Sequence, residues 1–103
     1  MHEVDMEKLH REEARWRILK VLDAGRPLPV NEAITLRALQ GTDLPMSPHG
    51  LRRELDYLEE RKLLTITGRN TPMWSAELTR LGIDIVEYTV DCNAGIARPQ
   101  KWF

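Results

Sequence analysis

Ser47, His49, Arg52 and Arg53 fall within one short stretch, and Arg69 follows some way on. Hydroxyl, imidazole and guanidinium groups gathered like this donate hydrogen bonds to phosphate oxygens and to base edges, so the chemistry they point to is binding a polyanion. Ser47 has a second use, because a serine before Pro48 caps a helix, and a helix N-terminus itself favours anions. The plainer alternative is a solvated helix face of mixed charge with incidental arginines, and a lone arginine at a loop tip such as Arg69 is commonplace. Catalytic chemistry has little to draw on. His2, His10 and His49 are scattered, Cys92 has no second cysteine to form a metal-binding pair, and no glycine-rich phosphate loop is present. Of the two serines, Ser47 is better used as a cap and Ser75 as a strand residue. Glu12-Glu13 and Glu59-Glu60 are adjacent pairs whose side chains diverge by about 100° on a helix, so neither forms an acid/base pair. The expectation is a non-enzyme with no metal and no cofactor.

The element that must carry these groups begins at Ser47. Leu51, Leu55 and Leu58 recur at helical spacing and define a buried stripe. Opposite it project His49, Arg52, Arg53, Asp56, Glu59 and Glu60, with the basic groups early and the acids late. Leu63–Thr67 and Met73–Leu78 then alternate, with Leu64 and Ile66, and Trp74, Ala76 and Leu78, facing inward. Between them Gly68-Arg69-Asn70-Thr71-Pro72 provides the turn, so the two segments form a β-hairpin with Arg69 at its tip.

The preceding chain supplies support. Met6 to Ala24 is a first helix with Ala14, Ile18, Val21 and Leu22 on its core face, and Gly25 is expected as a left-handed C-cap. Leu9 and Trp16 lie together on another side. They mark a tryptophan half-buried against a neighbouring loop, or else a dimer contact or a dock for the C-terminal tail. Arg26-Pro27-Leu28-Pro29-Val30 suits only a short edge strand. Asn31 caps a second helix, Glu32 to Gln40, apolar nearly all round and therefore expected to be packed between others. Thr42 to Met46 is a turn. After the hairpin, Thr79 caps a last helix, Arg80 to about Tyr88, in which Gly82 and β-branched residues demand support from packing; a strand is the alternative there. The fold class is mainly α with a small β-hairpin. The first 90 residues make the domain, and 91–103 form a basic, aromatic tail ending in Lys101-Trp102-Phe103, which should fold back or engage a partner.

The order helix, edge segment, helix, turn, helix, hairpin, helix resembles the winged helix-turn-helix superfamily of DNA-binding proteins over roughly residues 8 to 88. Leu51-Arg52-Arg53-Glu54-Leu55-Asp56-Tyr57-Leu58-Glu59-Glu60-Arg61-Lys62-Leu63-Leu64 looks like that family's third helix running into its wing, and Leu78-Thr79-Arg80-Leu81-Gly82 like its post-wing helix. Lys62-Leu63 stands where the family usually has glycine, which implies a differently shaped exit. The resemblance implies binding of double-stranded DNA by a small, dimeric transcriptional regulator, with the third helix in the major groove and Arg69 anchoring the wing. Ser47, His49, Arg52, Arg53 and Arg69 would be the DNA-binding residues, and Leu9, Trp16 and Trp102 the dimer or partner surface. Winged helices also serve as protein-interaction modules without DNA binding, which is the second reading. The tail Gly95-Ile96-Ala97-Arg98-Pro99-Gln100-Lys101-Trp102 is similar to the ends of small proteins of Mu-like bacteriophages and prophages, and implies such an origin.

Composition bounds these readings. The chain has 103 residues, 42% hydrophobic and 30% charged, enough for one modest core. No apolar run approaches the roughly 20 residues of a membrane span, and the acidic start lacks the order of a signal peptide. A single cysteine suits a reducing cytoplasm. The formal net charge is −1, so any contact with nucleic acid must come from a locally basic surface.

Overall fold

A computed structural model describes residues 4–44 and 46–101; Pro45 in the expected turn, Trp102 of the expected partner surface and Phe103 of the tail lie outside the described residues. The elements follow in the order α1 (Met6–Gly25), β1 (Val30–Asn31), α2 (Glu32–Gln40), α3 (Pro48–Glu60), β2 (Leu64–Thr67), β3 (Ser75–Leu78) and α4 (Arg80–Val86). The described chain is thus mainly helical with a small antiparallel sheet of order β1-β3-β2, in which Val30 pairs with Ala76 and Ile66 with Ala76 from the other side.

Local signals start every helix. Asp5, Asn31, Ser47 and Thr79 each have extended backbone, and each side chain accepts the N–H three residues on, which satisfies one donor that the first turn leaves without a partner. The alternation of β2 and β3 puts Leu64, Ile66, Ala76 and Leu78 inward as expected. These meet Leu51, Leu55 and Leu58 of α3 and Ile18, Leu19 and Leu22 of α1 in one core.

Three expectations are corrected by packing. α1 touches α2, α3, α4, β1 and β3, so it runs through the middle of the domain and buries Trp16 and Leu19 as well as Ala14, Ile18 and Leu22. Gly25 is no left-handed cap. It closes the last turn of α1, and a Cβ there would collide with Val30 Cγ2, so glycine allows β1 to pass close by. α2 is not packed on all sides: it buries Thr35 and Leu39 but leaves Ala33, Ala38 and Ile34 exposed, the last at 56%.

The exit from α3 takes the shape that glycine would give. Lys62 has φ 64, its N–H donates to Glu59 O at 2.8 Å, and Leu63 N–H reaches back to Leu58 O at 3.1 Å. That pair of bonds is the Schellman arrangement, and a lysine in it bears the left-handed penalty that glycine escapes. Lys62→Gly is therefore expected to stabilise the domain by about 0.5–1 kcal/mol, measured by urea unfolding; a loss of stability would sink this account of the exit. Gly82 answers the same junction from α4. A Cβ there would strike Leu63 O, so glycine is needed for close approach although it weakens the helix.

The described part of the tail packs back on the domain. Ile96 is buried in the core, Ala97 N–H donates to Glu12 O, and Tyr88 OH donates to Pro99 O at 2.7 Å. Arg98 Nη1 donates to Ile85 O and Val90 O, at and beyond the end of α4. Gly95, at φ 92, lies so close to Tyr57 OH that any Cβ would overlap it.

Candidate nucleic-acid interface

The first turn of α3 is built on Ser47, whose Oγ accepts Gly50 N–H at 2.9 Å, with Pro48 in the first turn, where an N–H would lack an intrahelical partner. The helix buries Gly50, Leu51, Glu54, Leu55 and Leu58. Its other side leaves Ser47, His49, Arg53 and Glu60 exposed, with Arg52, Asp56 and Glu59 partly so. Arg53 makes no hydrogen bond or ion pair among the described residues. It lines a groove of about 390 Å³ between the N-terminal halves of α1 and α3, alongside His10, Arg11 and Met46.

Arg52 and Arg69 are placed differently. Arg52 forks onto Glu32 at the start of α2, through Nε at 2.7 Å and Nη2 at 2.6 Å, and Nη2 also donates to Pro72 O. Glu32 is itself tied to the hairpin, since Oε1 accepts Trp74 N–H and its own N–H donates to Trp74 O. Arg69 returns from the hairpin tip to α3, where Nη2 donates to Asp56 Oδ1 and Glu59 Oε1, both at 2.6 Å. The second oxygen of Glu59 accepts Ile66 N–H at 2.8 Å, a donor that β2 would otherwise leave open at its free edge. Both guanidinium groups lie over the Trp74 ring, at 4.4 and 4.7 Å from its centroid. The indole Nε1 is buried with no partner among the described residues, so the cation contacts on the ring face help offset a lost hydrogen bond. The hairpin is thereby clamped to α2 and α3 by two arginines, one indole and three carboxylates.

These contacts fix the charge states. The hydrogen bonds from Arg52 hold the Glu32 carboxyl below its ordinary range, against an opposing push from burial. Burial alone would raise Glu59, but the Ile66 N–H and Arg69 outweigh it and the net shift is downward. A carboxylate with a depressed folded pKa contributes stability that is present above its unfolded value and is lost as pH falls through the folded one. Stability is therefore expected to hold from neutral pH to about 5 and to decline below the ordinary carboxylate value of 4.5. Urea midpoints at pH 7, 5 and 3.5 check this, and Glu32→Gln should flatten the acid limb. An acid limb unchanged in Glu32→Gln would exclude the pair as its source.

The candidate residues therefore divide. Ser47, His49 and Arg53 share one exposed end of α3, whereas Arg52 and Arg69 already carry carboxylate partners. Nothing in the sequence marks Glu32, Trp74 and the late acids of α3 as members of this surface, because the partners of Arg52 and Arg69 lie 20, 13 and 10 residues away and belong to different elements. Trp16 is corrected as a surface residue. It is 6% exposed and meets Tyr88 edge-to-face at 6.1 Å, with the tail residue Ile96 in the same core. Leu9 does remain exposed, at 47%, with Val4 and Met6 nearby in sequence.

Among the described residues no helix is long and apolar enough to cross a membrane, and no group of histidine, cysteine and acidic side chains is arranged to hold a metal ion. Compared with protein-family models, curated proteins and solved structures, the chain matches none.

Proposed function

We propose that this chain is a winged helix-turn-helix protein that binds double-stranded DNA, with the first turns of α3 in the major groove and the β2–β3 hairpin as the wing, and that it serves as a small phage or prophage transcriptional regulator in the cytoplasm. The observation that carries the reading is the exposed start of α3. Its capped N-terminus, His49 and an unpaired Arg53 stand together on the solvent side, and the hairpin is locked against the same helix. Backbone N–H groups at a helix start and a free guanidinium suit phosphate, while His49 and Arg53 can reach base edges. Arg52 is held in place by Glu32 and over the Trp74 ring.

Two of the three arginines on this surface are paired with carboxylates, so few phosphates can be neutralised. The fall of log affinity with log salt should have a slope near −2, as for about two released counterions. Fluorescence anisotropy of labelled duplexes at low and physiological salt tests the reading. Arg53→Ala should weaken a selected duplex by about 1–3 kcal/mol if the guanidinium contacts a base. No binding to random or selected duplexes at low salt would end the DNA reading.

The same balance of charge, together with exposed Val4, Met6, Leu9 and Ile34, favours a second reading, a winged-helix module that binds protein. Binding through apolar anchors changes little with salt, which separates the two. Dimerisation belongs to the exposed start of α1 in either case, and a sedimentation coefficient of a monomer at micromolar concentration would exclude it.

A further inference from the structure

We infer that Glu32, Asp56 and Glu59 are specificity-determining residues of the α3–hairpin surface, acting as built-in competitors that withhold Arg52 and Arg69 from DNA phosphates. The inference rests on the DNA-binding reading and says how that surface would discriminate. Every arginine–carboxylate contact here lies at 2.6–2.7 Å, the range of a charge-assisted bond. The guanidinium planes are further held on the Trp74 ring. A phosphate reaching either arginine would meet the like charge of the carboxylates already bound to it, whether it displaced them or took the remaining donors. Little net attraction to a sequence-neutral backbone remains.

A base edge meets a different surface. Guanidinium has five N–H donors, and the carboxylates occupy only part of them. On Arg52 the bonds to Glu32 and Pro72 use Nε and Nη2, and on Arg69 the bonds to Asp56 and Glu59 use Nη2. Nη1 of each, and Nε of Arg69, have no hydrogen-bond partner among the described residues. A neutral acceptor such as guanine O6 or N7 can take these bonds without evicting a carboxylate, from a group whose orientation is already fixed. The acids thus lower affinity for any DNA while leaving the directional donors in place for the right one. Both arginine side chains keep 33–40% of their surface exposed.

The test compares the unmodified chain, Asp56→Asn/Glu59→Gln, and that double variant with Arg69→Ala added. Amide oxygens still accept from Arg69 and Ile66, so charge is removed with the hydrogen bonds retained. Anisotropy is read with a random duplex and with a duplex selected by the unmodified chain, across a salt series. The double variant should bind the random duplex about tenfold more tightly at low salt, with a slope steeper by about 0.9 for one added phosphate contact. Its preference for the selected duplex should shrink, and Arg69→Ala should abolish the gain. If Glu59→Gln does not fold by circular dichroism, Asp56→Asn alone carries the comparison, because Asp56 is half exposed and accepts only from Arg69. Unchanged random-duplex affinity and slope in a folded variant, while the parent binds its selected duplex, overturns the inference and leaves the DNA reading standing. A parent and a variant that both bind no duplex overturn the two together.

Discussion

Arg15→Ala is expected to lower the unfolding free energy by about 3 kcal/mol, one of the two largest effects of a single substitution argued from this fold. Arg15 Nε donates to Glu54 Oε1 at 2.7 Å, and their side chains are only 11% and 9% exposed. Nη1 donates to Gly95 O at 2.9 Å, and the guanidinium lies 3.5 Å from the centre of the Tyr57 ring, which Arg61 also covers. One side chain therefore joins α1, α3 and the tail. Removing it strands the Glu54 carboxylate in the interior, and the cost of an unpaired buried charge exceeds what the pair itself contributes. Two further variants separate these contributions. Arg15→Ala with Glu54→Gln should recover part of the loss, since no charge is then stranded. Arg15→Met with Glu54→Leu should recover most of it, because apolar side chains of similar size can replace a buried pair at little cost. Urea unfolding followed by circular dichroism measures all three. A loss below about 1 kcal/mol for Arg15→Ala would mean that the pair behaves as a surface contact.

Glu54 also marks where reading the chain as a sequence stops. Helix starts at Asn31, Ser47 and Thr79 were legible because a cap is a bond between neighbours three residues apart, and the hairpin was legible because strand alternation is local. Glu54 lies within about 60° of Leu51 and Leu58 on α3, on the flank of the buried stripe, whereas Glu60 lies opposite and is exposed. Spacing thus marks the face of Glu54 but not what a carboxylate could find there. Only Arg15, 39 residues earlier, explains its burial. The same holds at the candidate interface. Basic residues at the start of α3 and at the hairpin tip could be picked out by type, but their partners are set by how α2, α3 and the hairpin meet. Lys62 is a different case. Its left-handed backbone is a local feature, yet the residue type gives no sign of it, because the bonds to Leu58 and Glu59 hold a conformation that lysine does not prefer. Ile34 shows the opposite limit: an apolar residue on a short helix looks buried until the neighbouring elements fail to cover it.

Trp16→Ala should cost about 3–5 kcal/mol, the range for removing a large aromatic from a core, and it should loosen the tail along with the core. The indole is covered on one side by Tyr88, edge-to-face with the two rings at 73°. Tyr88 holds φ 63 after α4, where Thr89 N–H bonds back to Asp84 O at 2.9 Å. An aromatic residue in that conformation bears a penalty of about 1–2 kcal/mol, offset by its contacts with Trp16, Pro99 O and the Arg98 guanidinium. With the indole gone, the reason for Tyr88 to stay there weakens, and with it the bond from Tyr88 OH to Pro99 O that holds the tail. Hydrogen exchange at the Ala97 amide, which donates to Glu12 O, should therefore accelerate in Trp16→Ala, while Trp16→Phe should show a smaller change in both stability and exchange. Tyr88→Phe should cost only about 0.5–1.5 kcal/mol, because it removes one hydrogen bond and leaves the ring contact. Sedimentation decides between an internal and an interfacial indole: if Trp16 is interior, any oligomer formed by the parent persists in Trp16→Phe. A Trp16→Ala chain that keeps its stability but changes its association state would return this residue to the surface, and would make the tail a cover that partner binding displaces.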